Sequence, residues 1–234
     1  LNSLKKCNML FSVSNSIRSM LISKGISKSK IKIIYNPSPM IQKAQPNLRN
    51  KLRISKEKKI ILYAGRLSKD KGIHKTIEAI SDLDDVVFLI IGKKRDYYSN
   101  LKKLIKNLKI EDKVIFLGFI DNSKIGKYFS IADLVTHPCS FYEPLSRMLI
   151  EAACYGLPII ASNSGGNSEI VVNNTNGYIV SNKEGLKNKI KKLLNNSKLA
   201  NIMGNNSTVL VAPKFDPEVI GKSLIKEYIN IKKI

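Results

Sequence analysis

Two carboxylates and a loop of cations are the residues of this chain best suited to chemistry. The run His137-Pro138-Cys139-Ser140-Phe141-Tyr142-Glu143-Pro144-Leu145-Ser146-Arg147-Met148-Leu149-Ile150-Glu151-Ala152 puts Glu143 before a proline and Glu151 eight residues on. Proline is favoured at the first helical position, so a helix is predicted over Pro144–Tyr155 with Glu143 at its mouth. There the macrodipole favours a carboxylate or an incoming anion. At ~1.5 Å per residue, Glu151 lies ~12 Å farther along the axis. That separation suits a ligand lying along the helix, with hydroxyl groups at both ends and a diphosphate between. A hydrolase acid/base pair is a second chemistry for two carboxylates, but a retaining glycosidase needs them ~5.5 Å apart, which this spacing makes awkward. A structural alternative treats Glu143 as a cap and Glu151 as a surface residue, although Ile150, Ala152 and Ala153 around Glu151 leave its exposure open.

The cations stand in Tyr63-Ala64-Gly65-Arg66-Leu67-Ser68-Lys69-Asp70-Lys71-Gly72. A buried strand is expected to end at Gly65, with Arg66 and Lys71 in the loop and Gly72 opening a helix. Ligands of open α/β sheets bind just beyond the carboxyl ends of strands, and two cations beside a helix N-terminus suit a phosphate or diphosphate. In so basic a chain, a solvated turn that carries Lys and Arg is the alternative. A third segment, Ala161-Ser162-Asn163-Ser164-Gly165-Gly166-Asn167-Ser168-Glu169-Ile170, runs a strand into paired glycines. Such a pair permits positive φ and close backbone approach to a ligand, or simply makes a turn. No G-x-G-x-x-G follows a strand, and Gly221-Lys222-Ser223 lacks the earlier glycine of a P-loop and falls in a predicted helix. His74 and His137 are isolated and read as structural or incidental. No acidic cluster suggests a divalent metal, so neither metal nor cofactor is expected.

Short apolar runs alternate with amphipathic stretches, the pattern of a parallel α/β sheet. Strands are predicted at Leu10–Val13, Ile31–Tyr35, Ile60–Ala64, Val86–Ile91, Val114–Leu117, Leu134–His137, Pro158–Ala161 and Tyr178–Val180. Helices are predicted at Ser16–Lys24, Ile73–Ile80, Tyr97–Leu108, Ser123–Phe129, Pro144–Tyr155, Lys183–Asn195 and from Pro217 onward. Continuous apolar runs such as Val86–Ile91 imply burial on both faces. Residues Asn36–Lys56, with Asn36-Pro37-Ser38-Pro39 and Pro46, read as a linker or hinge. Three parts follow: 1–45, the end of a preceding domain plus the hinge; 46–215, a Rossmann-like doubly wound parallel sheet; and 216–234, a closing helix.

Composition sets the outer bounds. Hydrophobic residues make up 43% of 234, so a packed core is expected, and no apolar run reaches the ~18 residues of a membrane span. Cys7, Cys139 and Cys154 lack metal-ligand spacing and read as reduced thiols of a cytoplasmic protein. Leu1 is not methionine, and the chain is expected to begin inside a longer protein. Forty Lys+Arg against eighteen Asp+Glu give a formal +22. This charge attracts nucleic acid, anionic membrane or phosphorylated ligands, or reflects a Lys-rich composition. No aromatic-rich basic stripe or reader motif supports nucleic-acid binding.

Taken in order, the three motif segments resemble the retaining glycosyltransferases of family four, which have the GT-B fold: a G-R-L-x-x-x-K-G loop, an E-x7-E helix and a G-G-x-x-E-I loop. The resemblance extends to Phe11-Ser12-Val13-Ser14-Asn15, Ile34-Tyr35-Asn36-Pro37 and Val114-Ile115-Phe116-Leu117-Gly118-Phe119. It implies transfer of a sugar from a nucleoside diphosphate sugar to a glycan or lipid-linked acceptor, without metal and with retention. In that reading Arg66 and Lys71, beside Gly65, clamp the diphosphate and stabilise charge on the leaving nucleotide. Glu151 accepts from the two ribose hydroxyls, and Glu143 holds hydroxyls of the transferred sugar. Backbone amides at Leu145, Ser146 and Arg147 meet sugar and distal phosphate, and backbone at Gly118 and Phe119 lines the base pocket.

Two departures stand out. Leu145-Ser146 replaces an aromatic-Gly pair, and Gly92-Lys93-Lys94-Arg95 stands where an acidic or small residue is usual. By the resemblance, only the last β-α-β unit of the acceptor domain is here, and the closing helix resembles the family's crossover helix. A non-catalytic nucleotide-sugar-binding module and a GT-B-fold epimerase are the competing readings. The basic surface also implies salt-sensitive attraction to an anionic membrane, at its inner face.

Overall fold

A computed structural model describes residues 2–39, 41, 45, 47–94 and 97–231. Within them the apolar runs become strands: Leu10–Ser12 (β1), Ile31–Ile33 (β2), Lys59–Ala64 (β3), Val86–Ile91 (β4), Val114–Gly118 (β5), Leu134–His137 (β6), Ile159–Ser162 (β7) and Gly177–Val180 (β8). Each lies within a residue or two of its predicted bounds. All six residues of β4 are buried, as a strand covered on both faces requires.

Strands β3 to β8 form one sheet in the order β5-β4-β3-β6-β7-β8, with every neighbouring pair parallel. The fold is α/β and Rossmann-like. From β3 the chain moves outward through β4 and β5, then returns to lay β6 on the other side of β3. The strand order therefore reverses between β3 and β6, and at such a switch point the flanking loops diverge and leave a crevice beyond the carboxyl edge. The loops after β3, β4, β5 and β6 all open onto that edge.

β1 and β2 pair only with each other among the described residues, in parallel, and helix Asn15–Ser23 connects them as one β-α-β unit. The closing helix, Pro217–Ile231, starts where the Asp216 carboxylate accepts from the N–H groups of Glu218 and Val219 at 2.8 and 3.1 Å. It runs back to this unit: the rings of Phe11 and Tyr228 are 5.7 Å apart, and Lys32 pairs with Glu227 at 3.8 Å. Its outer face leaves Val219, Ile225 and Ile229 exposed. No helix among the described residues is long and apolar enough to cross a membrane.

Three local expectations need correction. The segment read as a linker contains a short helix, Leu48–Lys51, whose Leu48 is buried; Pro46 and the boundary drawn there lie outside the described residues. Helix Ser197–Asn206, running on into a π-helical turn at Ser207–Val211, was not legible in a polar, glycine-containing stretch. Tertiary contact holds it: Gly204 abuts Gly156 so closely that a Cβ there would meet the Gly156 carbonyl at 2.1 Å. Finally, the helix predicted from Pro144 begins at Arg147, with Ser146 as its N-cap residue. The Glu143 carbonyl that would have opened an earlier turn instead accepts from the Gly166 N–H at 2.8 Å. Glu143 thus sits in the preceding loop and not at a helix mouth, and only part of the stretch to Glu151 is helical.

Candidate functional site

The loop after β3 is folded back on itself by the buried Tyr63, whose hydroxyl donates to the Arg66 carbonyl at 2.7 Å. A single turn of 3-10 helix, Lys69–Lys71, then ends at Gly72 with φ +73°. This is left-handed backbone that favours glycine, and a Cβ there would stand 2.1 Å from the Pro138 carbonyl oxygen. The loops after β3 and β6 are therefore in backbone contact, and the Ser140 N–H adds a bond of 2.8 Å to the Asp70 carbonyl. That contact decides where Lys71 points.

Lys71 Nζ donates to Glu143 Oε2 at 2.7 Å, with both side chains largely buried, and lies 4.2 Å from the centre of the Phe141 ring. His137, the last residue of β6, brings Nε2 to 3.6 Å from the same carboxylate oxygen. Burial pushes its imidazole down to about 3, the Lys71 charge adding to the effect and Asp70 opposing it. A neutral ring follows, so this contact is not an ion pair. His137, read as structural or incidental, is buried and packs against the Glu143 cluster; its only sequence signal is its place at a strand end just before the Glu143 loop.

The paired glycines serve the same loop. Gly165 has φ +54°, and a Cβ on it would fall 1.9 Å from the Glu143 carbonyl oxygen. The close backbone approach expected toward a ligand is made toward Glu143 instead. Asn167 is fully buried beside it, donating to the Ser162 carbonyl at 3.2 Å.

Next to this cluster, a cleft of about 490 Å³ opens at the switch point. Of the residues singled out in the sequence, Gly65, Arg66, Phe119, Arg147 and Glu151 line it; Lys93 does so as well, its amine 4.9 Å from the Phe119 ring centre. Phe119 is 64% exposed, unusual for so apolar a ring. Gly118 ends β5 behind it at φ +73°. Lys71, Glu143, Leu145 and Ser146 are not part of this wall. Lys94 faces the Tyr98 ring, and Arg95 lies outside the described residues.

Glu151 is the unusual group of the cleft. It sits in the second turn of helix Arg147–Cys154, whose other residues from Met148 on are all buried. Burial pushes its carboxyl up to about 7, with Arg147 one turn earlier partly opposing the shift. The cleft therefore combines a rim of cations, an exposed aromatic ring and a buried carboxyl poised near neutrality. The free N–H groups at the head of the helix add partial positive charge on the same side. Such a set can hold an anion at one end and accept hydroxyl hydrogens at another.

The family model of glycosyl transferases group 1 matches residues 44–209. This chain belongs to the group 1 glycosyl transferases. The group 1 chain is 32% identical over 199 residues to spore coat protein SA of Bacillus subtilis (strain 168), covering 80% of this chain and 52% of that protein. It is 29% identical over 221 residues to the uncharacterised glycosyltransferase MJ1607 of Methanocaldococcus jannaschii, covering 88% of this chain and 55% of that protein. The chain spans about half the length of the curated relatives it matches. Among solved structures, Anabaena Alr3699/HepE in complex with UDP matches at a TM-score of 0.90 and 25% identity, over 97% of this chain and 65% of that chain. A glycosyltransferase from Rickettsia africae shares the fold at a TM-score of 0.91 and 24% identity, over 99% of this chain and 66% of that chain.

Proposed function

We propose that this group 1 chain is the donor-binding part of a retaining glycosyltransferase of family four, moving a sugar from a UDP-sugar to a hydroxyl of a glycan or lipid-linked acceptor. The observation that carries the reading is the cleft at the β3/β6 switch point, where Arg66, Lys93, Arg147 and the buried Glu151 line one nucleotide-sized space. Pockets of ~300–1,000 Å³ accept ligands of that size. The structure of a relative in complex with UDP supports uridine as the base.

In this reading the ribose hydroxyls donate to Glu151, and the base lies against Phe119 and the end of β5 at Gly118. The diphosphate meets Arg66 and the amides of Leu145, Ser146 and Arg147. Lys71 exchanges Glu143 for the diphosphate as the donor binds, and Glu143 is released to accept from hydroxyls of the transferred sugar. The anomeric carbon–oxygen bond then breaks with its electron pair on the departing UDP, where Arg66 and Lys71 stabilise the charge. The acceptor oxygen bonds the same face of the sugar, and its proton passes to the leaving phosphate. These cations do the electrostatic work asked of a metal in other transferases, so none is assigned. The charge of +22 favours work at an anionic inner membrane face.

Titration calorimetry of this chain with UDP, GDP and ADP, with and without EDTA, tests the reading. Binding of UDP in preference to the others, unaffected by EDTA, is expected. Absence of nucleotide binding, both here and in the full-length protein, overturns it.

A further inference from the structure

Glu169 is a half-buried carboxylate with no part in the chemistry proposed above, yet it is among the most fully hydrogen-bonded groups in the molecule. Its Oε2 accepts from the Asn15 N–H at 3.0 Å, the Asn15 side-chain amide at 2.9 Å and the Tyr35 hydroxyl at 3.0 Å, and its Oε1 accepts from the Ser16 N–H at 3.0 Å. All these donors belong to the β1-β2 unit and the strand end that follows it. Asn15 and Ser16 open helix Asn15–Ser23, so the carboxylate satisfies two orphan amides and meets the positive end of the helix dipole. The Tyr35 hydroxyl, half-buried and beside this carboxylate, is pushed up to about 12 by that burial and by Glu169 and remains a donor.

The segment carrying Glu169 also grips the Glu143 loop. The Gly166 N–H donates to the Glu143 carbonyl at 2.8 Å, Gly165 lies against the same backbone, and the Ser164 hydroxyl donates to the Phe141 carbonyl. From the opposite side, the Tyr142 hydroxyl pairs with the Ser16 hydroxyl. Residues 141–143 are thus held between the 164–166 backbone and the head of helix Asn15–Ser23, and Glu169 ties these two supports together. We infer that Glu169 is a positioning residue: by capping helix Asn15–Ser23 it fixes the 141–143 loop, and through that loop the sugar-facing carboxylate of Glu143. Its effect on sugar recognition rests on the function proposed above. Its effect on the loop does not.

The two parts are separable by experiment. In Glu169→Gln the side chain keeps its size, but its amide group faces donors, so at least one of the four bonds is lost. Hydrogen–deuterium exchange on the full chain, with no ligand, is expected to accelerate about tenfold over 141–147 as well as over 15–20, while Val86–Ile91 is unchanged; tenfold corresponds to ~1.4 kcal/mol. Acceleration confined to 15–20, or absent, overturns the inference. Titration then compares UDP with UDP-glucose and UDP-N-acetylglucosamine. The expected result is a UDP affinity no weaker than that of wild type, because no residue of 141–143 or 164–169 lines the nucleotide cleft and a loosened Glu143 releases Lys71 more readily, and a severalfold fall in affinity for at least one UDP-sugar relative to UDP. Equal loss for all three ligands means a merely structural role and overturns it. Tyr35→Phe, which removes one bond and leaves the helix cap, should give the same pattern at smaller amplitude, and guards against misfolding of the Gln variant. Absence of nucleotide binding in the wild type, both here and in the full-length protein, removes the proposed function, and the exchange measurement still decides the positioning role.

Discussion

Glu151→Gln should make this protein more stable and a poorer nucleotide binder at the same time. The wild-type carboxyl is buried and titrates at about 7 against an ordinary 4.5. Each pH decade is worth ~1.4 kcal/mol, so ionising this group in the folded chain costs ~3 kcal/mol more than in the unfolded chain. The sign follows from proton counting. Between pH 4.5 and 7 the folded state keeps a proton that the unfolded state has released, so stability falls as pH rises through this window and levels off above it. Glutamine fills the same space and never ionises. The variant and the wild type should therefore match near pH 4.5 and diverge steadily to pH 7. Above that the variant should be ahead by up to ~3 kcal/mol, on the order of 6–12 °C in Tm for a chain of this size.

Thermal melts followed by circular dichroism from pH 4.5 to 8.5 measure the difference directly. UDP titration over the same range supplies the functional half. The ribose hydroxyls are better held by an ionised carboxylate, so the wild-type affinity should gain on that of the variant as pH passes 7. A Tm difference that is constant with pH would refute the account of Glu151 as a buried, proton-holding carboxyl. Equal UDP affinities for the two proteins throughout would remove it from the ribose site.

Other substitutions probe the cations and their partner. Arg66→Ala or Lys71→Ala should lower the transfer rate of the full-length protein on the order of 10²-fold, as for other preorganised charge stabilisers; donor turnover assays would show it, and unchanged rates would sink the clamp. Glu143→Gln removes the carboxylate that holds Lys71 at 2.7 Å, so UDP should bind severalfold more tightly to this variant by calorimetry; equal or weaker UDP binding would mean that Lys71 never exchanges partners. The net charge of +22 predicts co-sedimentation with phosphatidylserine vesicles that fades as salt rises past ~0.15 M. Sedimentation indifferent to salt would count against an electrostatic membrane surface.

The strands are readable to within a residue or two because burial on a parallel sheet demands local runs of apolar side chains, of which Val86–Ile91 is the clearest. The same runs set where loops fall, which places Arg66 at the carboxyl edge of a strand, whereas Phe119, Arg147 and Glu151 join it there only through the family resemblance. Helix Arg147–Cys154 was read three residues too long at its start because a proline after Glu143 signals a first turn locally, whereas a tertiary bond from Gly166 had already taken the carbonyl that turn needed. The partner of His137 is hidden for a similar reason: one histidine in a strand says nothing until the neighbouring loop carries Glu143 to within 3.6 Å of it. Lys71 and Glu143 lie 72 residues apart, and Glu169 and Asn15 lie 154 apart. Local patterning determines which side chains are buried and which backbone turns. Only the order of strands across the sheet, with its reversal between β3 and β6, decides which distant loops share an edge and which charges meet there.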